Sequence, residues 1–192
     1  MFSIKEIITE KGVLRIPEFI NVGTIVNSQG LLYRLEHVGH NAFDNLTNLK
    51  ELQIPTTVIR LEWSFYNCPN LAAIYVDEGN PTFCSIDGVL YSKDQHILIA
   101  YPNAHGIEYT LPEGVEEIAH FAFKTCRDIV RIKLSDSVKK IGNNVFCQCN
   151  KLEEVFLPNG IREIGDTTEP IHARFWYQRK WYRYEDLKSV VK

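Results

Sequence analysis

The sequence predicts a mainly β solenoid, and three observations lead to this fold class. Four sets of apolar residues share one spacing, at three, six, nine and eleven residues after a phenylalanine. Consecutive copies lie 22 residues apart (Phe43 to Phe65) or 23 residues apart (Phe123 to Phe146). Each copy ends in a short stretch of alternating apolar and polar residues. A fixed period in this range is typical of solenoids, whose units bury their apolar faces by stacking on neighbours.

The copy from Val138 to Pro158 shows how one turn is built. Its first four residues, V-x-x-I, predict a short strand that ends at Ile141. The next segment places Phe146 and Cys149 three residues apart, which favours a tight helical turn. The alternating run that ends at Leu157 predicts a second strand, and proline and glycine then mark a turn. The four sets are Phe43, Leu46, Leu49, Leu52 and Ile54; Phe65, Cys68, Leu71, Ile74 and Val76; Phe123, Cys126, Ile129, Ile132 and Leu134; and Phe146, Cys149, Leu152, Val155 and Leu157.

The flanking segments divide the chain into three regions. Residues 1–34 fit the repeat poorly and are predicted to form an N-terminal cap, with possible strands at 13–17 and 23–26. Terminal units of solenoids are usually atypical, which supports this interpretation. Residues 35–166 are the predicted solenoid, and residues 167–192 are either a C-terminal cap or an aromatic–basic tail.

An insert interrupts the solenoid. Phe65 and Phe123 are 58 residues apart, which is about 35 more than one period. The extra residues lie at about 78–109. They contain two apolar runs, at 88–91 and 97–101, on either side of a short polar loop. This pattern predicts a β-hairpin.

Charge and composition restrict the class of protein. The net charge is −3, but residues 171–192 carry six basic and two acidic residues, a net charge of +4. No apolar run is long enough to span a bilayer, so we expect no membrane insertion. The first residues contain acidic side chains and no apolar core of a secretory signal. A cytoplasmic location follows if Met1 is the natural start, and a surface or secreted location follows if the chain has been trimmed.

The sequence contains no recognisable motif for catalysis. No glycine-rich phosphate loop, H-E-x-x-H or G-x-S-x-G motif is present, so we predict no enzyme activity, no cofactor and no metal. Cys68, Cys126 and Cys149 share one repeat position, which indicates small buried residues stacked in a column. Cys147 and Cys149 could instead form a metal or redox pair, although zinc sites usually space such cysteines by two residues.

Two surfaces are candidates for binding a partner. Side chains alternate along a strand, so the residues between the last two apolar positions of each copy face outward. The predicted strand-face residues are Gln53, Tyr75, Lys133 and Phe156, with Arg131 and Glu154 two positions earlier. The candidates in the tail are Arg174, Trp176, Arg179, Lys180, Trp181 and Arg183. Aromatic and basic residues together suit single-stranded nucleic acid or an acidic partner, but aromatic residues also suit a cap over the last turn.

The repeat resembles the BspA-like (Treponema-type) leucine-rich repeat family over about residues 35–166. The residues that carry the resemblance are Ile141, Gly142, Asn143, Asn144, Val145, Phe146, Cys149, Leu152, Leu157 and Pro158. In the insert they are Asn80, Pro81, Thr82, Phe83, Ser85, Asp87, Gly88, Val89, Leu90, Tyr91, Lys93, Asp94, Leu98, Ile99, Tyr101 and Pro102.

The resemblance implies a right-handed, mainly β solenoid that serves binding and carries no catalytic residues. Proteins of this family are often secreted or displayed on the cell surface of bacteria and of some protists, so the resemblance also implies surface display. We therefore expect a non-enzymatic module that binds a protein partner through its strand face. The alternatives are binding of nucleic acid or an acidic partner through the tail, and a role as a cell-surface adhesin.

Overall fold

The computed structural model describes residues 12–21, 32–62, 65 and 67–191. In these ranges the chain has eighteen strands and one short helix, which confirms the mainly β class. The strands that close the turns are β1 (Val13–Arg15), β5 (Glu51–Ile54), β7 (Ala73–Val76), β11 (Glu108–Thr110), β13 (Arg131–Lys133), β15 (Glu154–Phe156) and β17 (Arg174–Tyr177). The strands that open the turns are β4 (His37–Val38), β6 (Arg60–Leu61), β10 (Ile97–Ala100), β12 (Glu117–Ile118), β14 (Lys140–Ile141) and β16 (Glu163–Ile164).

The turns stack into parallel ladders, as expected for a solenoid. One ladder has the order β1-β5-β7, and a second continues as β11-β13-β15-β17. In the second ladder, Ile132 is in register with Tyr109 on one side and Val155 on the other. The opening strands form the pair β4-β6 and the ladder β10-β12-β14-β16. Residues one period apart therefore lie side by side, and this stacking is the physical reason for the fixed spacing.

The segment that joins the two strands of a turn is not a helix. Asn144 (φ 55°) and Gln148 (φ 59°) have left-handed backbone conformations on either side of Phe146. Phe121 (φ 65°) and Thr125 (φ 63°) flank Phe123 in the same way. The spacing by three therefore belongs to a tight turn with a left-handed residue at each end. Asparagine is one of the residues that adopts this conformation most readily.

The aromatic residues of the turns stack in columns. The rings of Phe43 and Phe65 lie 5.6 Å apart, and those of Phe123 and Phe146 lie 6.0 Å apart. Tyr101 extends the second column, with its ring 4.9 Å from that of Phe123. Tyr101 therefore takes the place of a phenylalanine in an additional turn that the spacing did not reveal.

The insert is a three-stranded meander rather than a hairpin alone. The predicted hairpin is present as β9 (Val89–Ser92) paired antiparallel with β10, and β8 (Phe83–Ile86) adds a third strand beside β9. On its other side, β10 pairs in parallel with β12. A solenoid turn thus begins at Ile97, inside the stretch 78–109 that the spacing assigns to the insert.

The insert separates two hydrophobic cores. The first core contains Leu52 and Ile74 from the N-terminal turns, and Leu90 from the insert. The second core contains the C-terminal turns, and its members from the insert are Val89 and Tyr91. Consecutive residues of β9 therefore point into different cores, as side chains on a strand must alternate.

The last strands and the helix complete the second core. β17 pairs in parallel with β15, and β18 (Lys180–Arg183) then turns back antiparallel to β17. The helix α1 (Tyr184–Val190) follows directly. Phe175 and Leu187 are fully buried, and both belong to the same core as the preceding turns. The tail thus packs against the solenoid.

Part of the predicted N-terminal cap can be described. β1 pairs in parallel with β5, so Val13–Arg15 is the first strand of the ladder. β2 (Phe19–Asn21) and β3 (Leu32–Arg34) form an antiparallel pair. The remainder of the predicted cap, residues 1–11 and 22–31, lies outside the described residues, and so does the possible strand at 23–26.

Candidate protein-binding face

The strand-face residues predicted from the sequence lie on two separate sheets. Gln53 is beside Tyr75 in the β5–β7 pair, and Lys133 is beside Phe156 in the β13–β15 pair. β7 and β11 belong to different sheets, because the insert packs against β7. Tyr75 is 46% exposed and is the most prominent side chain of the first face. The four residues predicted as one column therefore form two separate pairs, and Arg131 and Glu154 lie on the second sheet with Lys133 and Phe156.

The tail continues the second face. Trp176 is in register with Phe156, and Arg174 is in register with Glu154. At the other end of this sheet, the additional turn contributes Thr110 beside Lys133, and Glu108 beside Arg131. Two of the tail candidates thus lie in the columns of the predicted strand face. The two candidate surfaces predicted from the sequence thus meet on one surface of the structure.

Three aromatic side chains form what we call the aromatic patch: Phe156, Trp176 and Trp181. Trp176 and Trp181 are directly opposite each other in the antiparallel β17–β18 pair, and their ring centroids are 5.1 Å apart. The rings of Phe156 and Trp181 meet edge to face at 5.6 Å. Each of the three side chains is half-buried, because each ring covers part of its neighbour. Such contacts are favourable for aromatic pairs and hold the patch in one arrangement.

Alternating charges line one side of the aromatic patch. Arg131 donates to Glu108 at 2.6 Å and to Glu154 at 3.0 Å, and Arg174 donates to Glu154 at 3.1 Å. The hydrogen bond to Glu154 and the nearby Glu108 raise the pKa of the Arg131 guanidinium above its ordinary value. Exposed ion pairs such as these contribute little to stability. Here they help place the Arg174 guanidinium, whose carbon lies 4.8 Å from the centre of the Trp181 ring.

Other cations near the aromatic patch have no acidic partner within the described ranges. They are Lys133 in β13, Arg179 in the β17–β18 turn, and Lys180 in β18. Lys180 lies 5.4 Å from the Tyr182 ring. Arg183 differs from them, because it pairs with Glu185 at 2.8 Å and with Asp186 at 3.2 Å. The six tail candidates therefore comprise two tryptophans, two ion-paired arginines and two cations without a carboxylate partner.

The cysteines lie in the interior of the turns, in line with the column that the sequence predicts. Cys68 donates to the Phe43 carbonyl at 2.9 Å, and Cys149 donates to the Phe123 carbonyl at 3.0 Å. Cys147 points elsewhere, with its sulfur 3.2 Å from the Asn144 side-chain oxygen. Across the described residues, no group of three or more His, Cys, Asp or Glu side chains is arranged to hold a metal ion.

The repeated turns, the parallel ladders and the outward strand face define a leucine-rich repeat solenoid. The chain belongs to the BspA type leucine rich repeat family, whose profile matches six copies over residues 2–92 and 100–168. None of the curated proteins is similar enough to count as a match.

Solved structures of bacterial leucine-rich repeat proteins are similar to this chain. The pneumococcal vaccine antigen PcpA has 32% identity and a TM-score of 0.63, over 68% of this chain and 38% of that protein. A leucine-rich repeat protein from Eubacterium ventriosum has 28% identity and a TM-score of 0.63, over 68% and 35%. A leucine rich cell surface protein from Faecalibacterium prausnitzii has 26% identity and a TM-score of 0.51, over 67% and 40%. The matched region thus spans well under half of each of these proteins.

Proposed function

We propose that this chain is a binding module without catalytic activity, which holds a protein partner on the outward face of its C-terminal sheet. The observation that carries the proposal is the register of Trp176 with Phe156, which joins the tail to the strand face. Leucine-rich repeat solenoids present extended surfaces of this kind for binding. The aromatic patch forms the centre of the contact in this proposal, and Lys133 and Arg131 lie beside it.

The composition of this surface supports a protein partner. Tryptophan, tyrosine and arginine are the residue types most often found among those that dominate binding energy in protein interfaces. The patch offers two tryptophans with Arg174 stacked on one of them. The ring contacts already fix these side chains, so little conformational entropy would be lost on binding. The face with Gln53 and Tyr75 remains a second predicted contact area on the other sheet.

The test is a pull-down from the organism of origin with three single variants. Trp181→Ala and Phe156→Ala remove parts of the aromatic patch, and Ile59→Ala removes an apolar side chain that is 42% exposed outside both predicted strand faces and serves as the matched control. We expect the two patch variants to lose a protein that the original chain and Ile59→Ala both retain. Circular dichroism and thermal unfolding establish that each variant is folded before it is compared. Capture that is unaffected by both patch variants contradicts the proposal.

A second candidate function is that of a cell-surface adhesin. It is supported by two similar structures, a vaccine antigen and a cell surface protein. No helix in the described part of this chain is long and apolar enough to cross a membrane. Labelling of intact cells with an antibody against the chain tests this candidate. Signal on unbroken cells supports surface display, and signal only after lysis contradicts it.

A further inference from the structure

A groove beside the aromatic patch has three cations among its six lining residues. Its volume is about 420 Å³, and Trp181 and Tyr182 form its apolar wall. The charged residues of its lining are Arg174, Lys180, Arg183 and Asp186. Asp186 pairs with Arg183, and Arg174 is paired with Glu154 outside the groove. Lys180 has no carboxylate partner in the described ranges, so the groove offers a positive charge that a ligand can neutralise.

Lys133 and Arg179 extend this positive charge along the patch. Lys133 is exposed and lies next to Phe156 in the ladder. Arg179 is exposed in the turn between β17 and β18. The tail segment 171–192 carries a net charge of +4 within a chain of net charge −3. Lys133 thus lies on the face that carries the aromatic patch, whereas Lys180, which is opposite Tyr177, and Arg179 lie at the edge of the same sheet, where Lys180 lines the groove.

We infer that the segment of the partner that contacts the aromatic patch is an acidic peptide. An apolar side chain of the peptide covers Trp176 and Phe156, and its carboxylates pair with Lys180 in the groove and with Lys133 on the strand face. This inference rests on the proposed function, because it names the chemistry of the partner at the same site. Complementary charge steers association and favours the correct partner more than it adds affinity.

The geometry of the patch favours an acidic peptide over single-stranded nucleic acid. Nucleic acid needs aromatic faces on which successive bases stack, together with a positive track for the phosphates. Here the Trp181 ring is covered by Arg174 and is in contact with Phe156 and Trp176. Carboxylates of Glu108 and Glu154 also alternate with the arginines beside the patch. This arrangement presents separate positive charges and no continuous basic track.

The experiment measures binding of purified full-length chain to three labelled probes by fluorescence anisotropy. The first is a glutamate-rich peptide with one central leucine, and the second is the same peptide with glutamine in place of each glutamate. The third is a thymidine oligonucleotide of equal charge. We expect the glutamate peptide to bind most tightly, and its affinity to fall as salt is raised. Tighter binding of the oligonucleotide, or no binding of the glutamate peptide, overturns the inference.

Two double variants with the same change in net charge locate the contact. Lys133→Gln with Lys180→Gln removes one cation on the strand face and one in the groove, whereas Lys50→Gln with Arg162→Gln removes two exposed cations elsewhere. We expect the first pair to weaken binding of the glutamate peptide about tenfold and the second to change it less than about twofold. Equal losses in both pairs overturn the inference, because the attraction is then one of overall charge.

The outcomes also separate this inference from the proposed function. If the glutamine peptide binds as well as the glutamate peptide, and Trp181→Ala still abolishes binding, the partner is not selected by its acidity. The aromatic patch then remains the binding site, and only the acidic character of the partner is rejected. If Trp181→Ala leaves tight binding of the glutamate peptide unchanged, the patch itself is excluded.

Discussion

The thiol of Cys149 donates a hydrogen bond to the main-chain carbonyl of Phe123, one turn earlier in the solenoid, at 3.0 Å. Cys68 and Cys126 make the same contact with the aromatic residue of the turn that precedes each of them. The column of cysteines therefore fills small spaces in the interior and also links one turn to the next. A thiol is a weak donor, but its size fits a site that a larger polar group would crowd.

Replacement of Cys149 tests the importance of this link. We expect Cys149→Ala to lower the free energy of unfolding by about 1–2 kcal/mol, since it removes the sulfur and the hydrogen bond together. Cys149→Ser should cost less, because its hydroxyl can still donate to the Phe123 carbonyl. Urea denaturation of the three proteins gives the comparison. If the serine variant is no more stable than the alanine variant, the sulfur serves only to fill space.

The same cysteines make stability depend on pH in the alkaline range. Burial raises the pKa of the Cys68 thiol to about 11 and that of the Cys149 thiol to about 12, from 9.0. Between pH 9.0 and these raised pKa values, the thiols of the unfolded chain have lost protons that the folded chain keeps. The free energy of unfolding therefore falls as pH rises. The slope is about 1.4 kcal/mol per pH unit for each such thiol.

We therefore expect stability to lose this contribution from about pH 9 upward, and to be unaffected by these thiols below about pH 8. Urea denaturation at a series of pH values measures the effect. The variant Cys68→Ala with Cys149→Ala provides the control, and its curve should be flatter above pH 9. An equal decline in the control would show that other groups cause the alkaline loss.

Two glycines at the same repeat position allow a matched steric test. A Cβ atom on Gly165 would lie 2.4 Å from the backbone of Gly142 in the turn before it, whereas a Cβ atom on Gly39 would have no neighbour within 4 Å among the residues that the structure describes. We expect Gly165→Ala to destabilise the chain by more than about 2 kcal/mol, because backbone must move to admit the methyl group. Gly39→Ala should change stability by less than about 0.5 kcal/mol. Thermal unfolding of both variants measures this difference, and equal effects contradict the close stacking of the turns.

The packing of the tail can be tested within one helix. Leu187 is fully buried in α1, and Ser189 is exposed two residues later. We expect Leu187→Ala to cost about 2–5 kcal/mol, as for other buried leucines, and Ser189→Ala to cost less than about 0.5 kcal/mol. Denaturation curves should show one transition that shifts as a whole in Leu187→Ala. A small effect of both substitutions would indicate that the helix contributes little to the fold.

The regular turns could be predicted from the sequence because stacking forces equal spacing on the residues that touch. The turn around Tyr101 escaped the prediction for three physical reasons. Tyrosine replaces phenylalanine, Ala104 replaces the leucine or cysteine three residues later, and Tyr109 follows after eight residues in place of nine. The shortened loop also places Ile107 outward, where it is 63% exposed. The period itself is kept, because Tyr101 lies 22 residues before Phe123.

The candidate site was only partly predictable. Alternation along the strands was enough to place Lys133 and Phe156 outward, with Ile132 and Val155 buried between the outward positions. The sequence does not predict that the tail strand β17 joins this face. No turn with a phenylalanine precedes Arg174, so the repeat spacing does not fix the register of β17. The run from Arg174 to Tyr177 does alternate in the same way as β15, and this was the available signal. The contacts among the rings depend on the antiparallel return of β18, which spacing alone does not specify.

The insert has a consequence for cooperativity. In a stack of like units, each unit is stabilised by its neighbours, and unfolding begins at the interface where coupling is weakest. Here Leu90 belongs to one core, while Val89 and Tyr91 belong to the other. β10 divides in the same way, since Leu98 belongs to one core and Ala100 to the other. The meander therefore couples the two halves of the stack, and we expect substitutions in β9 to weaken that coupling.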